Sequence, residues 1–286
     1  MITFPCCKIN LGLNVVRRRD DGYHDIETVF YPIPLCDALD VKLMDKDYPS
    51  QTPCDLLTKV ERDGVQTVEN LCPEQDNLVV KAYNLVAADY KIPRVHAHLI
   101  KRIPSQAGLG GGSSDAAAMI RLLDERFRLN MGIKQMERYA SRLGADCAFF
   151  ITSEPSFATG IGDILQPIDN KARHLEGHWL ALVKPDIAVS TAQAYKAITP
   201  SLPHACCRDI VQRPLSEWRA MLTNDFEGPV FAMHPELRTI KDRLYDLGAS
   251  FALMSGSGST VFGIFDEEVR TLAENFPGCF TKCLQL

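Results

Sequence analysis

The alternation of apolar and polar positions predicts several strands along the chain. In residues 4–16 (FPCCKINLGLNVV), Ile9 and Leu11 alternate with polar or small residues, which is the period of a half-buried strand. Side chains two positions apart share one face of a strand, so Lys8 and Asn10 are predicted to point in the same direction. The periodicity leaves two interpretations of that face open: it is solvated, or it lines a site.

In the centre of the chain, a strand pattern changes to a helix pattern across a glycine-rich loop. Residues 95–100 alternate like a strand, and Pro104, which cannot continue a ladder, follows them. From Asp115 onward the apolar residues recur at helical spacing. They are Ala116, Met119, Ile120, Leu123 and Phe127. Ser113, Ser114 and Asp115 are the candidate N-caps of this helix.

The loop has glycine at positions 108, 110, 111 and 112, and it predicts a phosphate site. Glycine allows left-handed backbone and a close approach to a ligand, while the start of a helix offers N–H groups and a positive dipole end. A Walker loop needs a lysine that is missing here, and a dinucleotide fingerprint needs glycine where Ser113 stands. The remaining alternative is a glycine turn without a ligand.

Asp146 and Lys101 each have both a structural and a functional interpretation. Asp146 enters an apolar run, where an unpaired carboxylate is costly, so we predict Lys8 as its partner; a turn or N-cap position is the alternative. Asp76 is predicted to cap a helix that runs to about residue 90, with Asn77 in its first turn. Lys101 neutralises phosphate, contacts the adenine of a nucleotide, or is solvated.

The last part of the chain predicts a second domain. A strand, a helix, two strands, a helix and a last strand follow one another, which is the βαββαβ order of a ferredoxin-like layer. The first three predicted strands are residues 179–183, 251–254 and 261–265. We place the domain boundary near residue 155, so that the domains are residues 1–155 and 156–286.

Two features of this second domain are candidates for a site. Thr191 and Tyr195 are four positions apart on one predicted helical face, where such a pair either packs in the core or contacts a ligand. The sequence SGSGS at residues 255–259 is a hairpin loop, or a loop in which Gly256 and Gly258 let the backbone approach a substrate.

Composition narrows the class of protein. The chain has 286 residues, of which 46% are hydrophobic and 23% charged, as in a globular protein of two ordinary domains. The net charge of −5 argues against nucleic acid as a partner. No apolar run is long enough to span a membrane, and the N-terminus has no signal-peptide pattern. We therefore expect a cytoplasmic protein whose ten cysteines are free thiols.

Three motifs in order resemble one kinase superfamily. PSQAGLGGGSSDAA resembles the second motif of the galactokinase, homoserine kinase, mevalonate kinase and phosphomevalonate kinase superfamily, the GHMP kinases. KINLGLNVV and the following residues to DGYHDIETVF resemble its first motif, and MSGSGSTVFG its third. The triple glycine with two serines is most similar to the branch formed by the 4-diphosphocytidyl-2-C-methyl-D-erythritol kinases. GADCAFF resembles a further family segment, with Ala148 where proline is usual.

The resemblance implies a fold and a set of roles. The implied fold is α+β, with a ribosomal-protein-S5-like N-terminal domain, a ferredoxin-like C-terminal domain and the active site in the cleft between them. Lys8 and Asp146 would be catalytic, with Asp146 as the base. The residues expected at ATP are Asn77, Lys101, Pro104, Gly108, Leu109, Gly110, Gly111, Gly112, Ser113 and Ser114. Those expected at the cytidylyl substrate are Asn10, Tyr23, His24, Asp146, Thr191, Tyr195, Gly256 and Gly258.

The resemblance also implies ATP and Mg²⁺ as cofactors and a monomer or homodimer without nucleic-acid or membrane partners. Two other functions remain open from the sequence. One is another small-molecule kinase of the superfamily, such as a mevalonate or homoserine kinase, against which the adjacent Tyr23 and His24 and the GGGSSD loop argue. The other is a nucleotide-binding regulator that has lost catalysis, against which the retention of Lys8 and Asp146 argues.

Overall fold

The chain forms two compact units in the computed structural model, which describes residues 1–168 and 175–286. The first unit comprises Met1–Cys7, Leu35–Ser105 and Gly110–Ser153. The second comprises Lys8–Pro34, Gln106–Leu109 and Glu154–Leu286. The chain therefore passes from one unit to the other after residues 7, 34, 105, 109 and 153. The division into residues 1–155 and 156–286 stays a prediction.

Thirteen strands and ten α-helices are found in the described ranges. The strands are β1 Ile2–Thr3, β2 Cys6–Arg18, β3 His24–Cys36, β4 Ala38–Leu43, β5 Cys54–Arg62, β6 Val65–Val68, β7 Val95–Lys101, β8 Ser156–Thr159, β9 Ile164–Pro167, β10 Trp179–Lys184, β11 Phe251–Met254, β12 Val261–Phe265 and β13 Phe280–Gln285. The helices are α1 Leu78–Asp89, α2 Gly111–Phe127, α3 Ile133–Ser141, α4 Phe149–Thr152, α5 Thr191–Lys196, α6 Cys207–Ile210, α7 Leu215–Met221, α8 Glu227–Met233, α9 Pro235–Asp246 and α10 Leu272–Asn275. None of these helices is long and apolar enough to cross a membrane.

The first unit is a five-stranded sheet covered by helices. Its strand order is β1-β4-β7-β5-β6, in which β5 and β7 are parallel and the other pairs antiparallel. Helices α1 and α2 pack against each other and against β5 and β4, respectively. The apolar stripe predicted after the glycine loop is buried, from Ala116 to Leu123. This packing fixes the start of α2 at the end of the loop that follows β7.

The second unit contains two four-stranded sheets. One has the order β2-β3-β8-β9. The other has the antiparallel order β11-β12-β10-β13, which is the strand order of a ferredoxin-like layer. The predicted βαββαβ arrangement is thus confirmed. The chain between β10 and β11 holds five helices, α5 to α9, where the βαββαβ order requires one.

The predicted caps of two helices are wrong. Helix α2 begins at Gly111, and its N-cap is Gly110, whose φ of 70° is left-handed. A left-handed glycine turns the chain into the helix earlier than a serine or aspartate cap would, so residues 113–115 lie inside the first turns. Helix α1 is capped by Asn77, whose side chain accepts a hydrogen bond from Val79 N, and not by Asp76.

The expectation that every cysteine is a free thiol is also wrong. Cys6 and Cys36 form a disulfide within the first unit. The pair lies at the start of β2 and the end of β3, and 30 positions separate the two residues, so no local cysteine spacing signals it. The other eight cysteines do not take part in a disulfide, and they are Cys7, Cys54, Cys72, Cys147, Cys206, Cys207, Cys279 and Cys283.

Candidate active site

Lys8 and Asn10 are buried on one face of β2. Lys8 is 2% and Asn10 1% exposed, so the alternative of a solvated strand face is excluded. The Lys8 ammonium donates to Asn10 Oδ1 at 2.5 Å and to the carbonyl of Gly108 at 3.0 Å, and it lies 5.2 Å from the ring centre of Phe30. Asn10 Nδ2 donates to Thr28 Oγ1 at 2.8 Å. These bonds hold both side chains in fixed positions.

The first motif, the glycine loop and the third motif meet in the second unit. Lys8 N donates to the carbonyl of Leu109 at 3.0 Å. Ser255 Oγ donates to the carbonyl of Gly108 at 2.9 Å and accepts from Asn10 N at 3.2 Å. Gly108 has a φ of +72°, and a Cβ there would overlap the Ser255 carbonyl oxygen. Sequence reasoning missed Ser255, although its place between a buried strand and Gly256 is a signal for such a contact.

The part of the glycine loop in the first unit forms the start of α2. A Cβ at Gly111 would lie 2.8 Å from Ile103 Cγ2 and 3.2 Å from the Lys101 ammonium, so only glycine fits there without movement. Gly112 is exposed, and a Cβ there would meet only Leu78, at 3.6 Å. The first N–H groups of a helix have no partner within it. This exposed helix start therefore fits the phosphate groups of a nucleotide.

Lys101 is held in a buried ionic cluster with Asp37 and Asp115. Its ammonium donates to both carboxylates, with 2.7 Å to Asp115 Oδ2, and Asp37 also accepts from the N–H groups of Arg102 and Ile103. Burial raises the pKa of Asp115 to about 7 against the effect of the lysine, and Asp37 raises it further. Burial pulls the pKa of Lys101 down, but the two carboxylates outweigh it and the net shift is upward. The charge of Lys101 is thus balanced within the protein.

Asp146 lies beside the start of α2 within the first unit. It occupies a 3-10 turn, Ala145–Cys147, that packs against α2. Burial raises the pKa of the Cys147 thiol to about 11; a hydrogen bond with Ser113 opposes this shift, and the charge of Asp146 adds to it. Ser114 Oγ donates to the carbonyl of Cys6 at 2.7 Å. Lys8 belongs to the second unit and Asp146 to the first, and their pairing stays a prediction.

The aromatic residues predicted at the cytosine lie close together in the second unit. The rings of His24 and Tyr195 are stacked, with centroids 4.9 Å apart and an interplanar angle of 20°. Tyr23 is 62% exposed and leaves its ring available to a ligand. Burial lowers the pKa of His24, and the charge of Arg18 lowers it further. The lowered pKa favours the neutral imidazole, which both donates and accepts a hydrogen bond.

The third-motif loop and α5 are joined by a side-chain bond. The hydroxyls of Thr191 and Ser257 are 2.9 Å apart. Gly256 and Gly258 have φ values of +58° and +92°, which L side chains rarely adopt. A Cβ at Gly258 would also lie 2.8 Å from the Met254 sulfur. The loop thus needs glycine at both positions.

Asn77 borders a cavity of about 360 Å³ in the first unit. The cavity is lined by Leu56, Thr58, Asn70, Leu71, Cys72, Pro73, Glu74 and Asn77. Its size is within the range of small-molecule sites. Pro104, the remaining residue predicted at ATP, is half-buried between β7 and the glycine loop. In the described part of the chain, no group of three or more His, Cys, Asp or Glu side chains is placed to hold a metal ion.

Comparison with known proteins identifies the family. The model "GHMP kinases N terminal domain" matches residues 77–154, and "GHMP kinases C terminal" matches residues 207–280. A 4-diphosphocytidyl-2-C-methyl-D-erythritol kinase from Bacteroides fragilis is 47% identical over 285 residues, covering 100% of this chain and 98% of its own. This chain belongs to the GHMP kinases. It is an enzyme of the 4-diphosphocytidyl-2-C-methyl-D-erythritol kinase branch, as the motifs predicted.

Another curated relative and two solved structures are also similar to this GHMP kinase. The Parabacteroides distasonis enzyme with the same name is 46% identical and covers 98% of this chain and 97% of its own. A crystal structure of a 4-(cytidine 5'-diphospho)-2C-methyl-D-erythritol kinase matches with a TM-score of 0.75 at 29% identity, covering 100% of both chains. The Methanococcus jannaschii mevalonate kinase matches with a TM-score of 0.68 at 13% identity, which shows a common fold alone.

Proposed function

We propose that this GHMP kinase transfers the γ-phosphoryl group of ATP to the 2-hydroxyl of 4-diphosphocytidyl-2-C-methyl-D-erythritol, in the cytoplasm. The observation that carries the proposal is the similarity over the whole chain to kinases of that name, at 47% and 46% identity. The buried Lys8 and Asn10 and the exposed start of α2 support it. No observation favours mevalonate or homoserine as the acceptor.

In this proposal the protein positions ATP and the acceptor and neutralises the negative charge of the phosphate groups. Phosphoryl transfer requires little else from a protein. The cavity beside Asn77 takes the adenine, and the N–H groups at the start of α2 bind the phosphates. Asp146 takes the proton of the acceptor hydroxyl, and Lys8 orients the carboxylate of Asp146. Tyr23, His24 and Tyr195 recognise the cytosine, by stacking and by hydrogen bonds from a neutral imidazole.

Mg²⁺ bound together with ATP would supply positive charge that offsets the negative charge of the phosphates. An ion that keeps most of its waters would need few ligands from the protein. The hydroxyls of Ser113 and Ser114 are the groups we assign to the phosphates or the ion. Ser114 already donates its proton to the carbonyl of Cys6, so its oxygen is oriented to accept or to ligate.

The test is a screen for ADP release with four acceptors: the cytidylyl-methylerythritol, mevalonate, homoserine and galactose. We expect turnover with the first alone and a product that carries phosphate on the tertiary hydroxyl, identified by ³¹P NMR. The Asp146→Asn variant is the control for a contaminating kinase. Faster turnover with another acceptor would reject the proposed substrate, and no ADP release with any acceptor would leave a nucleotide-binding protein without kinase activity.

A further inference from the structure

A short segment between α7 and α8, residues 223–226 (Thr-Asn-Asp-Phe), is bonded to the strand that carries the first motif. Leu13 N donates to the carbonyl of Thr223 at 2.9 Å, and Asp225 N donates to the carbonyl of Leu13 at 2.8 Å. The Asp225 carboxylate accepts from Val15 N at 2.7 Å. The segment thus pairs with the free edge of β2 through a single parallel bridge, Leu13 to Asn224, and has a fixed position beside it.

Asn224, in the middle of this segment, holds the third-motif loop. Its side chain is 3% exposed. Its amide donates to the carbonyl of Met254 at 2.7 Å and to the carbonyl of Gly256 at 2.8 Å, and its oxygen accepts from Phe226 N at 2.9 Å. One amide therefore satisfies the last carbonyl of β11, one carbonyl of the loop and one donor of its own segment. Only an asparagine-sized amide supplies this set of donors and acceptor.

The same segment supports the stacked rings. Phe226, which is 2% exposed, packs edge-on against Tyr195 with ring centroids 4.8 Å apart and an interplanar angle of 87°. Tyr195 in turn stacks on His24. The three rings form a column that starts in the core of the second unit and ends at a partly exposed imidazole.

We propose that Asn224 is a positioning residue for the acceptor substrate, acting through the third-motif loop and, with its neighbour Phe226, through Tyr195. This inference rests on the proposed function, which assigns the loop and the rings to that substrate. A loop with two left-handed glycines has many conformers, and two hydrogen bonds to buried carbonyls select one of them before the substrate arrives. Nothing in the sequence motifs points to residue 224.

Two variants test the hydrogen bonds. Asn224→Asp keeps the shape and the acceptor for Phe226 N but loses both donors to the loop. Asn224→Ser keeps a hydroxyl acceptor but is too short to reach two carbonyls. The control is Tyr83→Phe, which removes a part-buried 2.9 Å hydrogen bond from a buried tyrosine to the carbonyl of Pro93 in the first unit.

The kinetic readout separates positioning from a general loss of structure. We expect KM for the cytidylyl substrate to rise by roughly 10- to 100-fold in both variants at 224, as the loss of one or two buried hydrogen bonds implies. We expect KM for ATP and kcat at saturation to change by less than about threefold, because the lost preorganisation affects binding of the acceptor. Tyr83→Phe should change neither KM. An equal rise in both KM values would overturn the proposal.

A second readout needs no substrate. In the wild type the loop amides of Ser255 and Gly258 are bonded to Thr260 and Ser255 carbonyls, respectively, so their hydrogen exchange is measurable. Exchange in residues 255–260 should be at least about tenfold faster in the 224 variants and unchanged in Tyr83→Phe. If the screen finds another acceptor, the exchange result still decides the positioning role while the proposed function fails. Unchanged exchange, or failure of both 224 variants to fold while the control folds, would overturn it.

Discussion

At the scale of single residues, the candidate site depends on groups whose charges and hydrogen bonds are fixed by burial. Lys8 is almost fully buried and donates to Asn10 Oδ1 and to the Gly108 carbonyl. A buried ammonium is stable only when it has such partners. Its orientation is therefore set by the folded protein before any substrate binds, which is the condition for a side chain that orients a catalytic base.

The first prediction concerns Asp146 as this base. Asp146→Asn keeps the shape of the side chain but cannot accept the proton, so kcat should fall by about 10²–10⁴-fold while both substrates still bind. Lys8→Met keeps the apolar stem beside Phe30 and should also lower kcat. The measurement is steady-state kinetics of both single variants and of the double variant.

A shared role makes the two substitutions non-additive. The double variant should be little slower than the more impaired single variant, because the second change removes a group that no longer has a function. Losses that multiply in the double variant would contradict the pairing of Lys8 with Asp146. Near-normal turnover of folded Asp146→Asn would assign the base to another residue.

At the scale of secondary-structure elements, the sequence predicted what is local and missed what is distant. The alternation in β2 placed Lys8 and Asn10 on one face, and the helical spacing predicted the buried stripe of α2, since both patterns lie within one element. The bond between Ser255 and Gly108 joins residues 147 positions apart, and the bond between Asp37 and Lys101 joins residues 64 positions apart. The periodicity of apolar and polar residues within one element cannot predict a contact between residues so far apart in the chain.

One error at this scale was local. The predicted caps of α2 failed because Gly110 adopts a left-handed conformation, which starts the helix before Ser113 is reached. The side chains predicted as caps take other partners: Ser114 bonds to Cys6, and Asp115 bonds to Lys101. The glycines that made the phosphate site predictable are thus the reason that the cap prediction failed.

The second prediction uses the difference between two glycines in the first turn of α2. A side chain at Gly111 would meet Ile103 and Lys101, whereas one at Gly112 has room within the protein. Gly112→Val should therefore leave the fold intact and occupy the space above the helix start, raising Kd for ATP by at least about tenfold, or ~1.4 kcal/mol. Calorimetric titration measures the change. Gly132→Val, at an open helix N-cap, is the control, and unchanged ATP affinity in Gly112→Val would exclude this helix start as the phosphate site.

The third prediction concerns the cluster that joins β7 to α2. Two carboxylates share one ammonium, so Asp115→Asn leaves a balanced pair and should change the free energy of unfolding by less than about 1 kcal/mol. Asp37→Asn also leaves one carboxylate for Lys101, but its single amide oxygen cannot accept from the ammonium and from both backbone N–H groups, so it should cost more, about 1–3 kcal/mol. Guanidinium unfolding of both variants measures these values. Equal effects of the two substitutions would mean that the carboxylates are equivalent, which contradicts the bonding pattern.

At the scale of the whole molecule, the fold does not select the substrate. Mevalonate kinase from Methanococcus jannaschii has the same fold at 13% identity, with a TM-score of 0.68. Selection must therefore come from side chains that differ among enzymes of one fold. In this chain the exposed ring of Tyr23 and the stacked pair of His24 and Tyr195 are the side chains that we assign to the base.

The last prediction tests this assignment through the stability of the whole chain. A ligand that binds only the folded state raises the free energy of unfolding by RT ln(1 + [L]/Kd), which is about 2.7 kcal/mol at a ligand concentration of 100 times Kd. The unfolding temperature rises accordingly. Free CDP and ATP should each stabilise the wild type. Tyr23→Ala removes an exposed ring without disturbing the core, and the lost stacking should weaken CDP binding by about 1–3 kcal/mol. The rise in unfolding temperature on adding CDP should therefore become smaller, while the rise on adding ATP should remain.

The control is Phe4→Ala, which removes a ring of similar exposure, 58% against 62% for Tyr23, and should change neither shift in unfolding temperature. If the ATP-induced shift fell in Tyr23→Ala as far as the CDP-induced one, Tyr23 would not belong to a site for the cytosine alone.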